Sequence, residues 1–212
     1  MNGLQTGKYV GTIFFSLGLA LLSCLTWVAG RRSGASALRV PRTAVARAVA
    51  VPAPGVWQLV RVGRVLDADT YAGEMAGGTV RLRLAGVDAP ELGQPFGRAA
   101  ADSVRRLLRG KYVWVQPAGT DGYGRTLCAV RVRPGAFSPA RAAGLDSLLV
   151  ARGWAWAYAP GGAVPALAAL ELAARDAGRG LWKCGATGVV RPGIWRALTK
   201  QEKAVYLGVC DW

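Results

Sequence analysis

Two short acidic stretches, Asp67-Ala-Asp69-Thr70 and Asp88-Ala-Pro-Glu91, each close a run in which apolar and polar residues alternate. Carboxylates at strand ends are hard oxygen donors, suited to a cation such as Ca2+. Arginines accompany them: Arg83 precedes the second acidic stretch, and Arg125 closes Asp121-Gly-Tyr-Gly-Arg125. A guanidinium is planar, permanently charged and able to donate two parallel hydrogen bonds to a phosphate. Each feature also has a plain structural reading when taken singly. Asp67 and Asp69 can shape a turn, Asp88 to Glu91 can form a loop whose carboxylate caps a helix, and Arg125 can be one exposed arginine among many.

The chain contains no histidine. Histidine-dependent triads and His-ligated zinc sites are thereby excluded, and acid–base chemistry falls to carboxylates, Lys, Tyr or Arg-assisted water. Its four cysteines, Cys24, Cys128, Cys184 and Cys210, show no Cys-x-x-Cys spacing, which argues against a zinc site. Cys184 and Cys210 flank a C-terminal tail and could pair in an oxidising compartment, with buried free thiols as the alternative.

The elements that position these groups follow from periodicity. WQLVRVGRVL from Trp57 reads as a strand, and DADTYAGE leads into a second. TVRLRLAGV alternates with period two, and KYVWVQP and RTLCAVRVR give two more strands. FGRAAADSVRRLLRG places Ala100, Val104, Leu107 and Leu108 on one helical face, while LDSLLVARG and VPALAALELAARDAGRGLW read as helices. The expectation is an α+β domain: a five-stranded OB-type barrel with about three packed helices, preceded by an N-terminal hydrophobic helix.

VLDADT (65–70), RLRLAGVDAPE (81–91) and DGYGR (121–125), in this order, resemble the signature of staphylococcal nuclease-like domains. GRGLW (178–182) and PGIWR (192–196) resemble that family's C-terminal pattern, so the resemblance covers residues 57–196. It implies a calcium-dependent endonuclease acting on DNA and RNA. In this reading Asp69, Asp88 and the backbone carbonyl of Ala89 hold Ca2+, with Asp67 and Thr70 supporting them. Arg83 and Arg125 stabilise the phosphate in the transition state, and Glu91 acts as general base or positions the attacking water. Ala89 stands where many relatives have Thr, which leaves a carbonyl ligand intact. Phe96-Gly97 replaces a common Tyr-Gly, Asp146 a frequent Asn, and PGAFSPARAAG (134–144) lengthens a loop. The rival reading is a non-catalytic nucleic-acid- or protein-binding module of the same fold.

The front of the chain differs in kind. Residues 9–30, YVGTIFFSLGLALLSCLTWVAG, carry no charge and are long enough for a membrane-spanning helix. A cleaved secretory signal ending at Ala35-Ser36-Ala37 is the alternative. No Asp or Glu precedes Asp67, whereas Lys8, Arg31, Arg32, Arg39, Arg42 and Arg47 do. Under the positive-inside rule a retained anchor leaves the C-terminal domain on the cytoplasmic or organelle-internal side; a cleaved signal implies secretion. The expected organisation is thus a tail (1–8), an anchor (9–30), a basic Ala/Arg/Pro linker (31–56), the nuclease-like domain (57–196) and a C-terminal tail (197–212). The net charge of +15 suits a polyanion partner such as single-stranded DNA or RNA, although a coding bias toward Arg would give the same count. The membrane is the other expected partner, through 9–30, with no protein partner and a monomeric state.

Overall fold

The computed structural model describes residues 55–75, 78–132, 142–160 and 164–212. The hydrophobic stretch 9–30, most of the linker and most of the 134–144 loop lie outside these residues. Among the described residues no helix is long and apolar enough to cross a membrane.

Alternating apolar residues build the barrel. Strand β1 (Gln58–Val65) pairs antiparallel with β2 (Thr70–Met75) and with β5 (Tyr112–Thr120). β2 continues antiparallel to β3 (Gly78–Leu84), and β5 to β6 (Thr126–Val132). Closure comes from a parallel pairing of β3 with β6, from Leu82 opposite Thr126 to Leu84 opposite Cys128. The result is the expected five-stranded barrel, which leaves these strands no open edge along the seam. Val60, Val62, Tyr71, Leu82, Leu84, Val115 and Cys128 fill its interior at 1% exposure or less. Two irregularities bend the wall, between Val62 and Arg64 and between Pro117 and Gly119. The second accommodates a proline, which has no N–H for a ladder.

Short strands complete the frame: β4 (Val87–Asp88) pairs with β8 (Trp156–Ala157), and β7 (Ala143–Gly144) extends the sheet beside β6. Helix α1 (Gly97–Leu108) buries Ala100, Val104 and Leu108 against the barrel, with Leu107 packed at the margin. Helices α2 (Leu145–Ala151) and α3 (Pro165–Asp176) pack on each other and cover the other flank. α3 and a 3-10 turn (Gly180–Trp182) meet around Ala174, Leu181, Trp156 and Trp182. Gly180 has φ 53° there, and a Cβ would strike the carbonyl of Gly153.

The helix count exceeds the expected three, because the C-terminal tail is structured. Helix α4 (Pro192–Ala197) starts on a proline, and α5 (Lys200–Tyr206) starts on a capping box between Thr199 and Glu202. Proline at a first helical position loses nothing, since that N–H has no helical partner; the reciprocal cap satisfies two such donors. Cys184 and Cys210 form a disulfide, Cα atoms 5.8 Å apart, that encloses both helices.

The start of α1 is unusually tight. Phe96, its N-cap, adopts φ 66°, and Gly97 lies so close to the loop before it that a Cβ would collide with the Glu91 carbonyl. Gly97→Ala must therefore move either the helix or the Glu91 loop. We expect it to cost about 1–3 kcal/mol, the usual range for overpacking, read as a lower thermal midpoint. A second expectation concerns Cys128, the free thiol among the described residues. Burial pushes its pKa up to about 12, leaving almost no thiolate at neutral or mildly alkaline pH. Iodoacetamide at pH 8, followed by peptide mass mapping, should leave Cys128 unmodified in the folded protein and label it after denaturation. Labelling of the folded chain would show that the barrel interior opens readily.

Candidate active site

The loop joining β1 to β2 carries the first acids. Tyr71 is fully buried, and its hydroxyl donates to the Ala68 carbonyl at 2.6 Å. Burial pushes the Tyr71 pKa well up, so the hydroxyl stays a donor and pins the loop. Leu66 N–H donates to the Thr70 carbonyl, and Asp69 N–H to Asp67 Oδ1 at 3.0 Å. Asp69, only 3% exposed, is thereby fixed at the barrel mouth. Its Oδ1 accepts from the Thr70 hydroxyl at 3.0 Å, and its Oδ2 from the Ala89 N–H at 2.7 Å. Asp67 and Thr70 thus both act on Asp69. Burial raises the Asp67 pKa, opposed by Thr70 and by the charges of Arg83 and Arg125.

Strand β3 supplies the central cation. Its period of two sends Val80, Leu82 and Leu84 into the core and Arg81 and Arg83 to the outer face. The Arg83 guanidinium ion-pairs with Asp69 through one Nη and with Asp88 through the other, the latter at 3.1 Å. Its second Nη also donates to the Val87 carbonyl at 3.3 Å. Asp88 is presented by β4, held in place by β8. Burial lifts the Asp88 pKa despite Arg83, and burial lowers that of Arg83 itself.

Arg125 comes from the turn between β5 and β6. Asp121 organises that turn: its Oδ1 accepts from the backbone N–H of Tyr123 and of Arg125, and its Oδ2 from Arg125 Nε at 2.7 Å. The Tyr123 ring, 85% exposed, lies 5.3 Å from the Arg125 guanidinium. Because β3 and β6 are neighbours at the seam, Arg83 and Arg125 reach the same cleft.

That cleft, about 390 Å³, gathers the carboxylates Asp67, Asp69, Asp88 and Glu91 with the arginines Arg81, Arg83, Arg125 and Arg196. All the residues given a role from sequence line it except Thr70, which lies behind Asp69. Arg81, Tyr123 and Arg196 in the lining, and Asp121 behind Arg125, carry no role from sequence. Arg81 reads from sequence as the polar face of a strand, Tyr123 as a turn residue and Asp121 as part of a motif without a role of its own. Arg196 sits in PGIWR, a recognisable motif, but nothing in its sequence position joins it to Glu91. In the fold Arg196 Nη1 lies 2.5 Å from Glu91 Oε1.

Among the described residues no group of three or more His, Cys, Asp or Glu side chains is arranged to hold a metal ion. The two carboxylates best placed to do so, Asp69 and Asp88, already share one positive charge, that of Arg83. Their donor set is oxygen only and converges on a cationic position, which fits a hard divalent ion provided Arg83 yields.

Comparison with known proteins bears on the family. Residues 81–184 match a family model described as "Staphylococcal nuclease homologue". An "Uncharacterized endonuclease" of Escherichia coli is 38% identical over 136 residues, 64% of this chain and 83% of that protein. "Protein ParB" of Escherichia coli is 37% identical over 160 residues, 73% of this chain and 89% of its own length. A "Micrococcal nuclease" of Shigella flexneri is 37% identical over 136 residues, 60% of this chain and 73% of that protein. By this match and these relatives, the chain belongs to the staphylococcal nuclease family as an endonuclease hydrolase.

Proposed function

We propose that the cleft hydrolyses phosphodiester bonds of DNA and RNA, with single strands preferred and with Ca2+ held by Asp69, Asp88 and the Ala89 carbonyl oxygen. The observation that carries this reading is the cleft itself, where acids suited to a cation stand among arginines suited to a phosphate. When bound, the ion would neutralise a phosphate oxygen and activate water.

The chain's own groups supply the rest. Arg125 has its Nε engaged by Asp121, which fixes the guanidinium plane and leaves its Nη groups as phosphate donors. Arg83 exchanges its carboxylate partners for phosphate oxygens, so its charge meets the negative charge that develops during attack. Glu91, at the rim and 40% exposed on its side chain, accepts a proton from the attacking water or holds that water in line. Tyr123 and Arg81 widen the surface offered to a polyanion.

The disulfide bears on location. A Cys184–Cys210 disulfide forms and persists in an oxidising compartment, which favours the secreted reading of the leader over the cytoplasmic one.

Two outcomes test the proposal. With full-length protein and single-stranded DNA, cleavage should require calcium and stop in chelator. Arg125→Ala and Glu91→Gln should each lower kcat by roughly 10²–10³ while leaving the thermal midpoint near wild type. Unaltered cleavage in chelator, or full activity in both variants, would overturn the assignment. Arg83 behaves differently, because removing it strands two poorly hydrated carboxylates. Arg83→Ala should lose activity and also melt several degrees lower in chelator, about what a loss of 1–2 kcal/mol produces. Calcium should then raise its melting temperature more than that of wild type, measured by scanning calorimetry.

A further inference from the structure

Glu91, unlike Arg83 on β3 and Arg125 beside the start of β6, lies several residues away from any barrel strand. It lies in the loop between β4 and α1, and its surroundings come from the C-terminal segment. Gln94, 5% exposed, accepts from the Glu91 N–H at 3.1 Å through Oε1 and donates through Nε2 to the Val190 carbonyl. Phe96 packs its ring against Trp212, centroids 5.1 Å apart. Arg196, from α4, meets the Glu91 carboxylate at 2.5 Å. Lys183 Nζ donates to the Asp211 carbonyl at 2.5 Å, beside the Cys184–Cys210 disulfide. The segment therefore grips both ends of the Glu91 loop, and the disulfide closes the segment on itself.

We propose that Arg196 is a positioning residue for Glu91, delivered by the disulfide-closed C-terminal segment. This rests on the nuclease reading above and adds to it the group that aims the proposed base. A carboxylate on a loop has several rotamers, and a misplacement of about 1 Å at a reacting group can cost up to 10²-fold in rate. An ion pair with Arg196 selects one arrangement while leaving Glu91 solvent-accessible, since the two side chains are 62% and 40% exposed. At that exposure the pair adds little stability, so its effect falls on geometry.

The test uses the full-length chain with single-stranded DNA and calcium. Arg196→Ala should lower kcat roughly 10- to 100-fold and leave KM within about twofold, the pattern of a lost transition-state arrangement. Arg196→Lys should restore most of the loss, because a cation still reaches Glu91. Cys184→Ser/Cys210→Ser should lower kcat by a smaller factor and add little when combined with Arg196→Ala. Far-UV circular dichroism should show all variants folded; Arg196→Ala, a change at an exposed side chain, serves if the serine pair does not fold. A kcat for Arg196→Ala within twofold of wild type would overturn the proposal. So would a raised KM with unchanged kcat and a shallower salt dependence, which would make Arg196 a phosphate contact. An unchanged kcat in the folded serine variant would overturn the role of the disulfide. Wild-type protein without calcium-dependent cleavage would overturn the nuclease reading itself and this inference with it.

Discussion

The Arg83 guanidinium is shared between Asp69 and Asp88, and most of the site's geometry follows from that sharing. Asp69 stands at the end of the β1–β2 loop, Arg83 on β3 and Asp88 on β4, so one cation ties together three separate segments of chain. The arrangement is enforced from both sides. Two poorly hydrated carboxylates cannot sit together without a positive charge, and the Arg83 side chain is itself only 14% exposed. The parallel seam then fixes what stands beside it. Arg83 is opposite Leu127 on β6, and Arg125 precedes β6 by one residue, so closing the barrel also brings the second arginine to the cleft.

This design has a chemical consequence. Arg83 supplies the countercharge that Asp69 and Asp88 need. In the proposed mechanism the same carboxylates would serve a divalent ion only if Arg83 let go, and an arginine released from carboxylates is a donor in want of an anion. Within the proposed mechanism, cation binding and phosphate binding therefore favour each other. Neither requires the barrel to rearrange, because the exchange takes place among side chains at its mouth.

Much of this was legible in the sequence, for physical reasons. Alternation of apolar residues exposes the barrel strands, since residues at even spacing must share a face; Arg81 and Arg83 follow as outward residues between Val80, Leu82 and Leu84. Acids at strand ends and arginines beside them carry their chemistry in their side chains. The misses involve contacts between distant parts of the chain. Arg196 reaches Glu91 across 105 positions, and Gln94 reaches Val190 across 96; no local pattern encodes either. The pairing of β4 with β8 spans two residues on each side, too short for any periodicity. Helix α5 is another matter, because Thr199 and Glu202 spell a capping box in plain sequence. Treating residues 197–212 as a tail overlooked it.

The Glu91 loop shows why a small barrel of this kind carries a structured C-terminal segment. Barrel strands hold their side chains through ladder hydrogen bonds, but the stretch from Ala89 to Phe96 has no strand partner. It ends on Phe96 at φ 66°, a left-handed conformation that a bulky side chain resists. Such strain persists only where the surroundings over-determine the backbone. Here they do so through Gly97, whose missing Cβ admits the Glu91 carbonyl, through Gln94 bonded to Val190, and through Trp212 against the Phe96 ring. Two of these three constraints come from the last quarter of the chain. A loop built without them would relax toward commoner backbone angles and carry Glu91 away from the carboxylates that the barrel holds in place.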